Sequence, residues 1–411
     1  MARKHYLVGG AAAFLAAATI AACTNTKDLM MTTPVDPLFK SYASLGNSIT
    51  AGYQSGGIND STQKQSYAVL FAAAAETRFA IPALAMPGCA PPVDNFNTQT
   101  RVTPAGYPAS TSTSCYLRVT SSVTPAVNNV AVPGAASVDP TALTSANSNA
   151  LTTFILGGFT QDQRALLVNP TFLSVWIGNN DILANALSGC LVPTASCIAT
   201  GVTSQATFMT NYNNMTKGLK TSATLQGGVL FAVINVTNAP LLFHANLLNL
   251  SPAVRGRFEA AAGTAVSVDA SCDNAIPLIS FQMASYIRAG TLPPVVICKK
   301  GVLPAPVGDL FVLDSVEVPA AVTAVTNFNV YIKAKADTLG WAYVDMNPTL
   351  LALKTAGAIP PFPDLTQPTK PFGDYFSLDG VHPSALAHKT VANLMIDSVN
   401  AHYGTALPAV P

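Results

Sequence analysis

Charge is what this chain has least of. Asp, Glu, Lys and Arg together make up 10% of its 411 residues, against roughly 25% in an average soluble protein. The formal net charge is +1. So small a balance gives no electrostatic footing for nucleic acid or for an anionic membrane surface. Solubility must come from Ser, Thr, Asn and Gln. Tryptophan occurs twice and histidine five times. Paired Cys-x-x-Cys units are missing, which argues against a structural zinc site, and no group of residues clusters as a metal site. No internal repeat or heptad run is present. Beyond the amino terminus, no apolar run reaches the ~18 residues of a spanning helix.

The amino terminus is different. Arg3 and Lys4 precede an alanine-rich apolar run from Leu7 to Ala22, the layout of an export signal, and such a segment is excluded from fold reasoning. Its end, Ile20-Ala21-Ala22-Cys23, resembles the lipobox of bacterial lipoproteins, which implies cleavage after residue 22 and lipidation of Cys23. Thr24 follows, and in such signals a residue other than Asp there goes with sorting to the outer membrane. The expectation is an exported protein that meets the membrane through a lipid anchor only, with residues 23–37 as a flexible tether and one domain over 38–405. Cys89, Cys115, Cys190, Cys197, Cys272 and Cys298 remain. An even number in an oxidising compartment suggests disulfides, and sequence alone leaves the connectivity open. Sequential pairing, which closes three local loops, is the preferred arrangement.

Along the chain, apolar β-branched and aromatic runs alternate with helical stretches. Phe39–Gly46, Asn129–Val132, Thr171–Ile177, Gly228–Val236 and Trp341–Met346 read as strands. Helices are expected over Tyr67–Phe79, Gln161–Leu167, Ala206–Ala223, Pro319–Thr338, Asn347–Thr355 and Pro383–Tyr403. That order implies an α/β fold, a mostly parallel sheet with helices on both faces. Two long tracts, about 82–125 and 241–310, read as irregular insertions, the second with a helix near Pro277–Arg288.

Four stretches carry chemistry. Gly46-Asn47-Ser48-Ile49-Thr50 sets a hydroxyl at the carboxyl end of the first strand, where open α/β sheets bind ligands. Gly134 ends the second strand, and a missing Cβ permits close approach of a ligand to its N–H. Gly178-Asn179-Asn180-Asp181 crowds polar residues at the end of a buried strand. Asp379-Gly380-Val381-His382 puts a carboxylate within reach of an imidazole, which fixes its tautomer and frees Nε2 to take a proton from a hydroxyl. His244, His388 and His402 are expected to be solvated, and Trp176 and Trp341 to be core.

Taken in order, these stretches resemble the four blocks of the SGNH/GDSL hydrolase family, across about residues 39–403. The resemblance implies a three-layer α/β/α sandwich with a five-stranded sheet in the order 2-1-3-4-5. It further implies Ser48 as nucleophile, His382 as base and then acid, and Asp379 as its orienting carboxylate. The oxyanion hole would be the N–H groups of Ser48 and Gly134 and the amide of Asn180. The first block departs in having Asn47 where the family has Asp, a position outside the catalytic groups. The function expected is a serine esterase or lipase acting on a small-molecule or lipid ester without a cofactor. The rivals are a polysaccharide O-deacetylase of the same fold and a non-catalytic surface lipoprotein scaffold.

Overall fold

The computed structural model describes residues 36–117, 126–142, 150–191, 202–302 and 309–411. The expected export signal, Cys23, most of the expected tether and Cys197 lie outside those residues. Four strands form the main sheet: β1 (Tyr42–Gly46), β2 (Phe172–Trp176), β3 (Gly227–Phe231) and β4 (Ala342–Val344). They lie side by side in that order, and every neighbouring pair is parallel. The first three are buried along their whole length, as strands covered on both faces must be.

A fifth segment lies along the outer edge of β1. Asn129 bridges Ser44 in the parallel sense. Val130 and Val132 donate their N–H groups to the carbonyls of Ser44 and Gly46, at 2.9 and 3.1 Å. This completes the order 2-1-3-4-5, as a bridge rather than an extended ladder. At its start Asn128 reaches the Tyr42 carbonyl through its side-chain amide (2.7 Å), while its backbone N–H goes to Ala80 O (2.7 Å).

Seven helices matter for the argument: α1 (Ser48–Ala51), α2 (Tyr67–Ala74), α3 (Gln161–Leu166), α4 (Gln205–Leu219), α5 (Glu317–Leu339), α6 (Asn347–Thr355) and α7 (Ala385–Tyr403). Side chains alternate across the sheet with a period of two. Tyr42, Phe172, Trp176 and Phe231 therefore share one core with Phe71 of α2 and Val391 and Met395 of α7. Leu45, Leu173 and Val175 point the other way, into a core with Phe208 and Tyr212 of α4 and Phe328 of α5. Stacked aromatic pairs seal each layer: Trp176 on Phe231 at 4.7 Å and Phe208 on Phe328 at 4.0 Å.

Helix ends follow from local chemistry. Ser66, Ser204 and Ser384 accept from the N–H three residues on, and Thr160 with Gln163 makes a reciprocal capping box. α5 and α7 stop at Gly340 and Gly404, both left-handed. α2 ends at Ala74, five residues short of the expected Phe79, because Glu76 turns to φ 50° and starts an extended segment.

The described residues of the tract 241–310 are folded rather than irregular. Leu242–His244, Leu278–Ser280 and Val312–Leu313 pair into a small antiparallel sheet, beside the helices Pro252–Ala262 and Gln282–Arg288. Phe243, Phe258, Phe281 and Phe362 give it a core of its own. Disulfides join Cys272 to Cys298 in this layer and Cys89 to Cys115 in the first insertion. Cys190 is also disulfide-bonded. The first insertion carries a hairpin, Val93–Asn95 against Thr100–Arg101. No helix among the described residues is long and apolar enough to cross a membrane.

His388 is not solvated. It lies on α7 with no exposed surface, and its Nδ1 accepts the N–H of Tyr67 at 3.3 Å. Burial first, then the nearby His382, pull its pKa down to about 3. His244 and His402 are exposed, each ring bonded to a backbone carbonyl.

Two expected outcomes follow from this packing. An added Cβ at Gly228 would sit 2.6 Å from the Trp341 ring and 2.9 Å from Leu173 O. Gly228→Ala should therefore cost about 1–3 kcal/mol, read as a lowered urea midpoint at unchanged slope. For His388, the folded pKa lies below the unfolded value of about 6.5, so its contribution is intact above that pH and drains away toward pH 3. His388→Asn should flatten stability between pH 6.5 and 4, and parallel curves for the two proteins would refute it.

Candidate active site

The site is built at the carboxyl edge of the parallel sheet. Gly46 ends β1 where no side chain fits: a Cβ there would meet the Trp176 carbonyl at 2.7 Å and collide with Thr50. Asn47 then caps α1, its Oδ1 accepting the N–H of Ile49 at 3.1 Å. The carboxylate that the family's pattern carries here could accept the same bond, so the departure at Asn47 leaves the turn intact. Ser48 becomes the first residue of a single helical turn, which Gly52 stops at φ 85°. Its side chain is 7% exposed.

His382 and Asp379 arrive from the other end of the chain. His382 Nε2 lies 2.9 Å from Ser48 Oγ, and its Nδ1 lies 2.8 Å from Asp379 Oδ2. With the ring proton on Nδ1 and facing a carboxylate, Nε2 is left to accept from the serine hydroxyl. Asp379 also accepts the N–H of Val381 (2.9 Å), the N–H of His382 (2.8 Å), the N–H of Gly56 (2.8 Å) and the hydroxyl of Ser377 (3.1 Å). Burial alone would raise this carboxyl. The His382 ring and the backbone N–H groups of His382 and Val381 outweigh it and hold Asp379 well below the usual carboxylate range. The turn is closed by the N–H of Ser377 donating to His382 O at 2.9 Å, and Gly380 passes under the Phe372 ring at φ 65°.

Several of these partners have no signature in the sequence. Gly56 reads as a helix breaker, yet its N–H is the far anchor of Asp379. Ser377 is bonded in turn by the N–H of Ser55 at 2.8 Å. Arg101 Nη1 holds the carbonyls of Gly56 (3.0 Å) and Pro91 (2.6 Å), which fixes that loop. Tyr53 packs its ring 4.9 Å from that of His382. Burial, then the charge of Asp379, push its phenol upward.

The remaining expected residues come from two loops. Gly134 takes φ 88°, and Gly178, which would clash with Phe208 and Val233 if substituted, takes φ 118°. Neither Ser48 N–H nor Gly134 N–H has a hydrogen-bond partner among the described residues. Asn180 spends one amide hydrogen on Ala135 O at 2.8 Å. Its amide carries a second.

Two cavities meet at Ser48, Asn180, Leu183 and His382. One, a narrow slot of about 80 Å³, is walled by Ile234, Val236, Met346, Leu350, Leu353 and the buried Trp176, with few polar atoms. The other, of about 480 Å³, is more open, and its walls include Gly134, Tyr53 and the Cys89–Cys115 disulfide. Trp341 belongs to the core, 5% exposed. No cluster of His, Cys, Asp and Glu suited to a metal ion occurs among the described residues.

Three solved structures are among those to which this chain is similar. An extracellular lipase from Streptomyces rimosus is 15% identical, with 87% of this chain and 98% of that one aligned, at a TM-score of 0.38. A variant of an acetyl xylan esterase from Geobacillus stearothermophilus is 12% identical over 87% and 93% of the two chains, at a TM-score of 0.34. An alpha/beta hydrolase enzyme from the metagenome of Lake Arreo, Spain, is 11% identical over 89% and 99%, at 0.37. No curated protein matches the sequence. The family described as GDSL-like Lipase/Acylhydrolase matches residues 42–395. With that match spanning most of its length, the chain belongs to the GDSL-like lipase/acylhydrolase family.

Proposed function

We propose that this protein hydrolyses carboxylic esters through an acyl-enzyme on Ser48, with His382 and Asp379 completing the relay. The single observation that carries the reading is the unbroken line from Ser48 Oγ through the His382 ring to Asp379, at 2.9 and 2.8 Å. Ser48 Oγ attacks the ester carbonyl while His382 Nε2 takes its proton. Asp379 stabilises the imidazolium that forms. Charge on the tetrahedral oxygen meets the N–H groups of Ser48 and Gly134 and the amide of Asn180. The C–O bond to the alcohol then breaks, and His382 returns the proton to the departing oxygen. Water repeats the sequence on the acyl-enzyme and releases the acid.

The narrower cavity supports an apolar acyl chain as the group retained on Ser48. Its walls offer an acetyl group no partner and a long chain much area. The open cleft suits the alcohol, which must leave while water enters. A sugar O-deacetylase would retain only an acetyl group on Ser48 and would be expected to present aromatic platforms and a polar rim in the cleft that holds the leaving alcohol. The export and lipidation read at Cys23 belong to the same proposal, and loss of detergent-phase partitioning in Cys23→Ala is their test.

Ser48→Ala should lower hydrolysis of p-nitrophenyl butyrate by about 10⁴-fold or more at unchanged circular dichroism. Near-normal turnover in that variant would remove Ser48 from the mechanism. An inert scaffold would also fail to react with a fluorophosphonate probe. Across p-nitrophenyl acyl esters, kcat/KM should climb by up to about fourfold per added methylene, the equivalent of about 0.8 kcal/mol of burial, until the cavity is full. A maximum at acetate, together with turnover of acetylated xylan, would favour the deacetylase instead.

A further inference from the structure

The two loops that would supply the oxyanion donors are fastened to each other by one carboxylate that takes no part in the relay. Asp181 directly follows Asn180 and is 4% exposed. Its Oδ2 accepts the N–H of Ser137 at 2.8 Å, and its Oδ1 accepts the Ser137 hydroxyl at 2.6 Å. Ser137, fully buried, lies three residues beyond Gly134. Its hydroxyl also accepts from the side-chain amide of Asn211 on α4, at 2.9 Å. In the opposite sense, Asn180 Nδ2 donates to Ala135 O at 2.8 Å. Gly134 and Asn180 are thus held in register by bonds running both ways between their loops.

A cation would be the ordinary partner for so buried a carboxylate. Among the described residues none lies within 4 Å of Asp181. Desolvation, the largest influence, pushes its pKa upward against the bonds from Ser137 and Thr203. A carboxylate kept at that cost in stability, on neutral donors alone, has its use in what those donors position. The energetic reason is geometric. Preorganised donors stabilise charge only where the oxygen will be, and a displacement of about 1 Å can cost about 10²-fold.

We propose that Asp181 is a positioning residue for the oxyanion hole, acting through Ser137 on the loop that carries Gly134. This inference rests on the ester-hydrolase reading of Ser48. A merely structural carboxylate would lower stability and leave the chemistry of the folded fraction alone. A positioning one weakens every tetrahedral state on Ser48 and spares ground-state binding.

The experiment compares Asp181→Ala, Asp181→Asn and Ser137→Ala with wild type. Each is assayed for kcat and KM on p-nitrophenyl butyrate and for inhibition by an alkylboronic acid, which forms a tetrahedral adduct with the serine. Thermal melts and circular dichroism report folding. Asp181→Ala should lose about 10–10²-fold in kcat, with KM within about threefold and the boronate constant weakened in parallel. Asp181→Asn keeps an acceptor for the Ser137 N–H, and the hydroxyl can turn to accept from the new amide, so it should recover part of that loss. Ser137→Ala, the gentlest change, should fall by severalfold and carries the test if Asp181→Ala does not fold. Variants that melt lower yet keep wild-type kcat and boronate affinity overturn the proposal. If Ser48→Ala itself stays active, the underlying reading fails, and that outcome is separate from anything seen at Asp181.

Discussion

Asp379 is the constraint on which the rest of the site hangs. Its carboxylate gathers five donors from two distant parts of the chain: Gly56, Ser377, Val381, and the backbone and ring of His382. A partly buried anion is tolerable only when its lone pairs are occupied, and here each bond also fixes something else. The bond to the ring selects the tautomer. The bonds to Val381 and His382 set the turn, and the bond to Gly56 draws the loop after α1 against it. The loop that follows Ser48 and the loop that bears His382 are consequently one unit, joined through a single charged group.

The parallel sheet does the complementary work. Every strand of it delivers a loop to the same edge, so Ser48 after β1 and Asn180 after β2 are neighbours without being near in sequence. Gly46, Gly178 and Gly228 let the layers close to distances that a methyl group would forbid. At the site the chain turns at positive φ on Gly52, Gly56, Gly134, Gly178 and Gly380, where the missing Cβ makes it cheap, and on Ser55 at φ 54°.

The sequence made the sheet and the four reactive stretches legible because each is a local signal. A buried apolar run ending in a polar cluster marks both β2 with Asn180 and β1 with Ser48. Asp379 and His382 are three apart and can be paired on paper. The anchors are another matter. Gly56 lies 323 residues from Asp379 and acts through its backbone, which carries no side-chain signature. Ser137 looks like any loop serine until its partner is known. The layer from 242 to 313 escaped because strands of two or three residues are too short for alternation to register. His388 is buried against Tyr67 on a different helix, a contact that the pattern of its own helix does not carry.

That outer layer has an implication for how such a chain can change over time. It carries its own aromatic core and its own covalent staple, and it supplies neither Ser48, His382, Asp379 nor Asp181. Its inner face is tied to the His382 turn, where Leu241 N–H donates to Gly380 O at 3.0 Å and Val381 packs on its aromatic core, so length and composition can drift most cheaply on its outer face. Modularity of this kind separates the part of the molecule that does the bond-breaking from the part free to adapt to surroundings.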